Sequence, residues 1–418
     1  MRILWLKTEF LHPVDKGGRI RTYQMLREIA REHHVTYLTL DDGEAAPDAL
    51  EKAAEYAHEV ITVPFHPPKK SGVAFYAALL SNVVSSLPYA VARYQSAAMS
   101  AEIQRRAPNA DLLVCDFLTP AINMRHEVAV PTVLFQHNVE AMIWERHAAV
   151  SKSFVRRSYM REQWRRMVAF EKAACHRFDH VIAVSPQDAD VMRAQYGAPR
   201  VSDVPTGVDT EFFTPAAVES RRLLELVFTG SMDWMPNDDA MLWFLDEILP
   251  LVRAEIPEVT VTIVGRSPST QLQEQARSTT GVEVTGRVPD VRPYLDRASV
   301  FLVPIRIGGG TRLKIFEAMA MGLPVLSTTV GAEGLPLSDG NDVLLRDTAS
   351  AYAAELVSLL RDDVRRRAIA EAGQRLVRER YGWAGVAQAF MAQCAQVVAR
   401  AQDIAPSRGA MVARDIQT

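Results

Sequence analysis

The sequence predicts an α/β protein made of two facing Rossmann-like domains, each with a doubly wound parallel sheet. Three observations support this prediction. The chain has 418 residues, enough for two or three domains of ordinary size. Short apolar runs alternate with longer helical patterns along the whole chain, as βαβ units require. The strand series pauses once, at 204–224, where two prolines and a Thr-Gly turn indicate a linker.

Apolar runs on both sides of this pause have the length and composition of buried strands. They span 3–6, 35–40, 111–115, 132–135 and 180–184 before it, and 226–230, 260–265, 282–286, 300–304, 324–328 and 342–345 after it. The two series predict a first domain at 1–205 and a second at 206–382. The last periodic stretch predicts a helix at 383–402 that crosses back to the first domain, followed by a loose tail at 403–418. In such folds, ligands bind at the carboxyl ends of the strands, so we expect the site there, in the cleft.

Composition argues against several classes of protein. The formal charge is -3, from 47 Lys plus Arg against 50 Asp plus Glu, so bulk charge gives no support for a nucleic-acid partner. Three scattered cysteines do not make a disulfide framework, which favours a reducing compartment. Apolar runs are too short for a membrane span, and the N-terminal run ends at Lys7, too early for a secretory signal. We therefore expect a cytoplasmic protein.

Motifs of other enzyme classes are missing or imperfect. No GxGxxG with the correct spacing and no GxxxxGK[ST] occurs, which argues against a dinucleotide oxidoreductase and a P-loop enzyme. Asp188 and Asp190 resemble a metal-binding Asp-x-Asp pair. However, Ser185 and Pro186 before them predict the N-cap and first residue of a helix, with Asp188 in its first turn. No other residues have metal-ligand spacing, so we predict neither a metal nor a cofactor.

The stretch 300–328 carries the strongest functional signal. A strand there is followed by glycines at 308–310 and by a helix that begins near Thr311. The free N–H groups of a helix N-terminus bind phosphate well. Arg312 and Lys314 lie in the first turn, where the helix dipole disfavours cations unless an anion is bound there. A diphosphate would be such an anion.

One turn after Lys314, Glu317 lies on roughly the same face of the predicted helix. Its carboxylate can accept hydrogen bonds from ribose hydroxyls. The alternative is a plain Lys-Glu pair on a helix that follows a glycine-rich turn.

The segment IGGGTRLKIFEAMAMGLPV resembles the signature of the GT-B retaining glycosyltransferases of family 4. Other segments agree with this resemblance: FDHVIAVSPQDAD, VPTGVDTEFFTP, LVFTGSMDWMPN and VEVTGRVPDVRPYLDRASVFLVP. The resemblance covers nearly the whole chain and is weakest between 41 and 110. It implies transfer of a sugar from a UDP- or GDP-sugar to a hydroxyl of a glycan or lipid-linked glycan. It also implies retention of configuration by front-face attack, without a metal.

The resemblance implies a role for each matching residue. Glu317 would bind the ribose, and His137, just past a strand end, would face the donor sugar. Asp116 and Glu140 would be weaker candidates on the acceptor side, although Glu140 is equally well explained as an acid in the first turn of a helix. The remaining donor-side residues would be Gly17, Gly18, Gly230, Arg287, Val288, Gly310 and Thr311.

This chain departs from the family pattern at two places. Gly309 stands where the family usually has its first glutamate, which contacts the donor sugar. Ser231 and Asn237 stand where the family often has Arg and Lys. Neutralisation of the diphosphate would therefore fall on Arg312 and Lys314, with help from Arg266.

The segment 146–177 has a strong local charge, with nine Lys or Arg against two Glu. Arg157, Arg161 and Arg165 repeat every four residues and predict a cationic stripe on one helix. The stripe is either a solvated surface or a contact with an anionic membrane or lipid-diphosphate acceptor. The second interpretation predicts peripheral association with the inner face of the cell membrane.

Two other functions fit a two-lobed α/β chain. A nucleotide-sugar epimerase shares the architecture but needs acid and base carboxylates that the sequence does not identify. A non-catalytic sugar-binding protein would have no use for a cationic diphosphate loop.

Overall fold

The computed structural model describes residues 1–14, 17–43, 45–66, 82, 85–124, 127–150, 154–216, 222–307 and 313–414. These residues form two compact units. The first unit is Met1–Pro205 together with Val386–Thr418, and the second is Thr206–Gly385. Each unit is described by itself below.

The first unit is built on a seven-stranded sheet with the order β3-β2-β1-β4-β5-β6-β7, in which every neighbouring pair is parallel. The strands are β1 (Arg2–Lys7), β2 (His34–Asp41), β3 (Glu59–Pro64), β4 (Leu112–Asp116), β5 (Thr132–Phe135), β6 (His180–Ala183) and β7 (Val201–Asp203). Five of them were predicted, whereas β3 and β7 were not. The strand order reverses between β1 and β4, and such a switch point is where doubly wound sheets bind ligands.

Helices connect these strands, and one more helix ends the chain. They are α1 (Gly17–Ile29), α2 (Ala49–Lys52), α3 (Tyr89–Ala92), α4 (Ala97–Arg106), α5 (Glu140–Val150), α6 (Phe154–Arg177), α7 (Pro186–Tyr196) and, at the end of the chain, α15 (Trp383–Arg414). The predicted start of α7 is confirmed, because the Ser185 side chain accepts a hydrogen bond from the Asp188 amide at 3.1 Å. Asp188 is therefore an acid in the first turn of a helix.

The second unit contains a six-stranded parallel sheet with the order β10-β9-β8-β11-β12-β13. Its strands are β8 (Glu225–Thr229), β9 (Thr260–Val264), β10 (Val282–Gly286), β11 (Val300–Val303), β12 (Val325–Ser327) and β13 (Leu344–Leu345). All six were predicted, which confirms the class of two parallel-sheet α/β domains. The switch point of this sheet lies between β8 and β11.

The helices of the second unit are α8 (Met235–Trp243), α9 (Leu249–Glu255), α10 (Thr270–Ser278), α11 (Arg292–Arg297), α12 (Leu313–Ala320), α13 (Ala349–Arg361) and α14 (Asp363–Arg380). A π-helical turn, Phe244–Ile248, joins α8 to α9. The central strands of both sheets are buried on both faces, which explains their unbroken apolar runs.

Helix α15 returns the chain to the first unit, to which its residues from Val386 onward belong. Phe390 packs against Trp5 and Phe135, with ring centroids 5.7 and 4.9 Å away. The helix was expected to end at residue 402, before a loose tail, but it continues to Arg414. Among the helices of the described part of the chain, none is both long and apolar enough to cross a membrane.

Candidate functional site

Two glycines lie at the carboxyl ends of adjacent strands of the second sheet, and one of these strands, β8, borders the switch point. Gly230 follows β8 and Gly265 follows β9, and the Gly230 amide donates to the Val264 carbonyl at 2.9 Å. A Cβ atom on Gly265 would lie 1.7 Å from the Gly230 carbonyl oxygen, and one on Gly230 would lie 2.6 Å from Lys314 Nζ. Close backbone packing therefore requires glycine at 265, whereas Gly230 lies against the Lys314 and Asn237 side chains.

Lys314, the second residue of α12, reaches this glycine corner. Its Nζ donates to Asn237 Oδ1 at 2.8 Å and lies 4.2 Å from the centre of the Phe228 ring. Asn237 is buried near the start of α8, and its Nδ2 donates to the Ser231 carbonyl at 2.8 Å. Asn237 thus holds Lys314 in place at the carboxyl edge of the sheet.

A second cation reaches the same loop from β9. Arg266 Nε donates to Ser231 Oγ at 2.7 Å and lies 3.6 Å from Asp233 Oδ2. The Arg266 side chain is 45% exposed, so its charge remains open to solvent and to an anion. Five of the predicted residues, Gly230, Ser231, Asn237, Arg266 and Lys314, therefore come together.

Glu317 follows Lys314 by one turn of α12 and is half-buried. Burial raises the pKa of its carboxyl to about 7, while the positive charge of Lys314 acts in the opposite direction. A carboxylate placed here can accept hydrogen bonds from two neighbouring hydroxyls.

Two other donor-side predictions lie at the edge of the second sheet. Arg287 is exposed and Val288 is half-buried, and both lie in the loop after the edge strand β10. Gly309, Gly310, Thr311 and Arg312 lie outside the described residues.

In the first unit, three adjacent strands bring three polar side chains together at their carboxyl ends. Lys7 ends β1, Asp116 ends β4 and His137 lies two residues beyond β5. Lys7 Nζ donates to Asp116 Oδ2 at 2.9 Å, and His137 Nε2 lies 2.7 Å from Asp116 Oδ1. All three side chains are buried, with at most 3% of their surface exposed.

Two further groups hold the same carboxylate. Trp5 Nε1 donates to Asp116 Oδ2 at 3.0 Å, and Thr22 Oγ1, on α1, donates to it at 2.7 Å. Burial alone would raise the pKa of Asp116, but Lys7, His137 and Thr22 lower it well below its usual range. These contacts favour the ionised form of Asp116 inside the unit, where the carboxylate orients the His137 ring.

Phe117 covers His137 and contacts the start of α1. Its ring lies 3.8 Å from the His137 ring, centre to centre, in a stacked arrangement, and its Cζ would lie 2.7 Å from a Cβ on Gly18. The backbone of Phe117 has φ 73°, which is unusual and strained for a bulky residue. Gly18 is thus required next to Phe117, whereas a Cβ on Gly17 would meet no described atom within 4 Å.

The loop that carries His137 is held by Glu171 of α6. This buried carboxylate accepts hydrogen bonds from Gln136 Nε2 at 3.0 Å, from the amides of Glu140 and Ala141 at 2.9 and 3.1 Å, and from the Tyr196 hydroxyl at 2.9 Å. Glu171 therefore caps α5, and Glu140 is the first residue of that helix. Burial raises the pKa of the Glu140 carboxyl.

Lys7 and Glu171 were not among the predicted site residues. A signal for Lys7 was present, because a charged residue inside a strand that is buried on both faces needs a partner. In the sequence, Glu171 is noted only as one of two acidic residues in the basic segment 146–177. Helix periodicity alone does not reveal the hydrogen-bond partners of its side chain. Among the described residues, no three His, Cys, Asp or Glu side chains form a group that could hold a metal.

The cationic stripe lies on α6 as predicted, but its members differ in exposure. Arg161 and Arg165 are exposed and Arg157 is half-buried. Arg166 instead donates to the Asn82 carbonyl at 2.6 Å and belongs to the packing of the unit. At the start of the same helix, the Phe154 side chain is 78% exposed.

Comparison with known proteins identifies the class to which this fold and these residues belong. A family model described as Glycosyltransferase Family 4 matches residues 16–212, and one described as Glycosyl transferases group 1 matches residues 224–362. Sucrose-phosphate synthase from Thermosynechococcus elongatus shares the fold with a TM-score of 0.70 at 19% identity, over 96% of this chain and 100% of that one. The molecule thus has the two-domain GT-B glycosyltransferase fold.

This chain belongs to the GT-B glycosyltransferases with a family 4 first domain and a group 1 second domain, which confirms the resemblance. HepE from Anabaena, solved with UDP and glucose, has a TM-score of 0.62 at 14% identity, covering 95% of this chain and 100% of that one. Phosphatidyl-myo-inositol mannosyltransferase from Mycolicibacterium smegmatis is 31% identical over 201 residues, which are 45% of this chain and 50% of that protein. The chain spans about half the length of this curated relative.

Proposed function

We propose that this protein transfers a sugar, with retention of configuration and without a metal, from a UDP- or GDP-sugar to a hydroxyl of a glycan or lipid-linked acceptor. The observation that carries the proposal is Lys314 Nζ, held by Asn237 2.8 Å away beside the closely packed Gly230 and Gly265. A bare backbone corner with a fixed cation suits a diphosphate.

The donor would bind in the second unit. Lys314 and Arg266 would neutralise the diphosphate, with Arg312 and the N–H groups of Gly310 and Thr311 assigned to the same task by the family resemblance. Glu317 would accept hydrogen bonds from the ribose, and the base would lie against the backbone near Arg287 and Val288. Because Gly309 has no side chain, backbone groups would make the contacts to the donor sugar.

The chemical step would be front-face displacement. The bond between the anomeric carbon and the β-phosphate oxygen breaks, and the acceptor oxygen bonds to the same face of that carbon. The acceptor proton passes to the departing phosphate, so no protein nucleophile is needed. Preorganised donors that stabilise developing charge are each worth about 2.7 to 4 kcal/mol, and Lys314 and Arg266 would supply charge of this kind.

The acceptor would be a lipid-linked molecule at an anionic membrane surface. The mannosyltransferase relative acts, by its name, on phosphatidyl-myo-inositol. Helix α6 offers the exposed cations Arg161 and Arg165 with Phe154 78% exposed at its start. Basic side chains near such a surface contribute about 1 kcal/mol each, so α6 would hold the protein at the inner face of the membrane.

A panel of UDP- and GDP-sugars, incubated with the full chain and followed by chromatography, tests this function. Release of the nucleoside diphosphate that is stimulated by a hydroxyl acceptor supports transfer. Isomerisation of the donor sugar would indicate an epimerase instead, and binding without turnover would indicate a sugar-binding protein.

A further inference from the structure

We propose that Lys7 is a positioning residue that controls the protonation of His137. By neutralising Asp116, the Lys7 ammonium keeps the His137 ring uncharged and protonated at Nε2, so that Nδ1 accepts a hydrogen bond from a substrate hydroxyl. Which substrate carries that hydroxyl, the sugar donor or the acceptor, is the one point that rests on the function proposed above. The protonation itself is a property of the chain alone.

The contacts of Asp116 divide between its two oxygens. Oδ2 accepts hydrogen bonds from Lys7 Nζ at 2.9 Å, from Trp5 Nε1 at 3.0 Å and from Thr22 Oγ1 at 2.7 Å. Oδ1 lies 2.7 Å from His137 Nε2. An ionised carboxylate only accepts, so the ring nitrogen beside it carries the proton.

The other ring nitrogen is left as an acceptor. Among the residues that the structure describes, His137 Nδ1 is buried and has no partner, whereas Nε2 has Asp116 Oδ1 at 2.7 Å, without the alignment of a full hydrogen bond. A buried polar atom without a partner is costly and needs an explanation, which a hydrogen bond from a substrate hydroxyl would supply. Phe117 covers one face of the ring.

The charges around the ring argue against an imidazolium. Burial lowers the pKa of Lys7 on β1, but its ion pair with Asp116 on β4 favours the ammonium form. Arg21 on α1 is also positive, and Asp188 at the start of α7 acts on Arg21. A protonated ring would be a third positive group beside one carboxylate, in a place removed from water. Burial, together with Arg21 and Lys7, lowers the pKa of His137 to about 3, against the opposing effect of Asp116.

Removal of the Lys7 charge reverses this balance. Without the Lys7 ammonium, His137 would be the nearest group to Asp116 that can gain a positive charge. The His137 ring would therefore take up a proton. Its Nδ1 would change from an acceptor to a donor, and the hydrogen bond to the substrate hydroxyl would be lost.

Histidine-selective ¹⁵N NMR of the full chain tests the proposal, with the His137 signal assigned from its loss in His137→Gln. Lys7→Gln keeps a hydrogen-bond donor but removes the charge, and Lys7→Met removes both. We expect a neutral, Nε2-protonated ring at pH 7 in the wild type and an imidazolium in each Lys7 variant. Lys7→Met/Asp116→Asn, which removes both charges, should return the ring to the neutral form.

The proposal is overturned if His137 stays neutral in Lys7→Gln, or if the wild-type ring carries its proton on Nδ1. If Lys7→Met does not fold, Lys7→Gln and the double variant decide the question. The NMR measurement needs no donor or acceptor, so it stands even if no sugar transfer is found. If sugar transfer is found, the kcat of Lys7→Gln at pH 7 should be at least tenfold lower than that of the wild type. The kcat should recover at higher pH, as the His137 ring loses its proton.

Discussion

Lys314 Nζ donates a hydrogen bond to Asn237 Oδ1 at 2.8 Å, although the two residues are 77 positions apart in the chain. Asn237 in turn donates to the Ser231 carbonyl at 2.8 Å. The pair therefore connects the start of α12 to the loop after β8.

Glu317 predicts a pH dependence of donor binding. Its pKa is raised to about 7 by burial, and only the ionised carboxylate accepts from both ribose hydroxyls. The KM for the donor should therefore fall as the pH rises from 6 to 8. Glu317→Gln should raise KM at least tenfold at pH 8, equivalent to about 1.4 kcal/mol, and remove the pH dependence. Glu333→Gln, at an exposed position, is the control, and a pH profile that persists in Glu317→Gln would contradict the assignment.

Glu171 predicts a stability effect in the first unit. Its carboxylate accepts four hydrogen bonds, which Glu171→Ala would remove together. A buried donor left without a partner costs about 1 to 3 kcal/mol, so the free energy of unfolding should fall by at least that amount in urea denaturation. The exposed Glu274 provides the matched Glu274→Ala variant. Equal stability of the two variants would show that Glu171 does not hold the His137 loop.

The exposed cations of α6 predict binding to anionic membranes. Replacement of Arg161, Arg165 and Lys172 by Gln should weaken co-flotation with phosphatidylglycerol vesicles by about a hundredfold, because each basic residue contributes about 1 kcal/mol. Arg31, Arg105 and Arg200, also exposed, are changed to Gln as the control. The membrane proposal fails if the wild-type protein does not bind, or if both triple variants lose binding equally.

The sequence predicted most of the fold because central parallel strands are continuous apolar runs. Strand β3 (Glu59–Pro64) escaped prediction since it is an edge strand with mostly half-buried or exposed residues. Strand β7 (Val201–Asp203) has three half-buried residues and no detectable periodicity. Helix α15 extends to Arg414 across a stretch with Pro406 and Gly409, which favour a helix end over continuation.

The candidate site was predictable where one motif carries it and not where distant strands meet. Lys314 and Glu317 stand in a single segment, so spacing alone placed them together. The partnership of Lys7 with Asp116 spans 109 positions and depends on β1 lying beside β4. The order of strands in the sheet makes β1 and β4 neighbours, and this order cannot be read from the sequence.

Calorimetric titration of UDP and GDP into the full chain tests the central claim most directly. We predict that one of the two nucleotides binds the wild type and the Arg277→Met control, changed at an exposed position of α10, with equal affinity. Binding to Lys314→Met should be at least tenfold weaker, a loss of about 1.4 kcal/mol. Wild-type affinity in Lys314→Met, or no binding of either nucleotide to the wild type, would contradict the assignment of this corner as the donor diphosphate site.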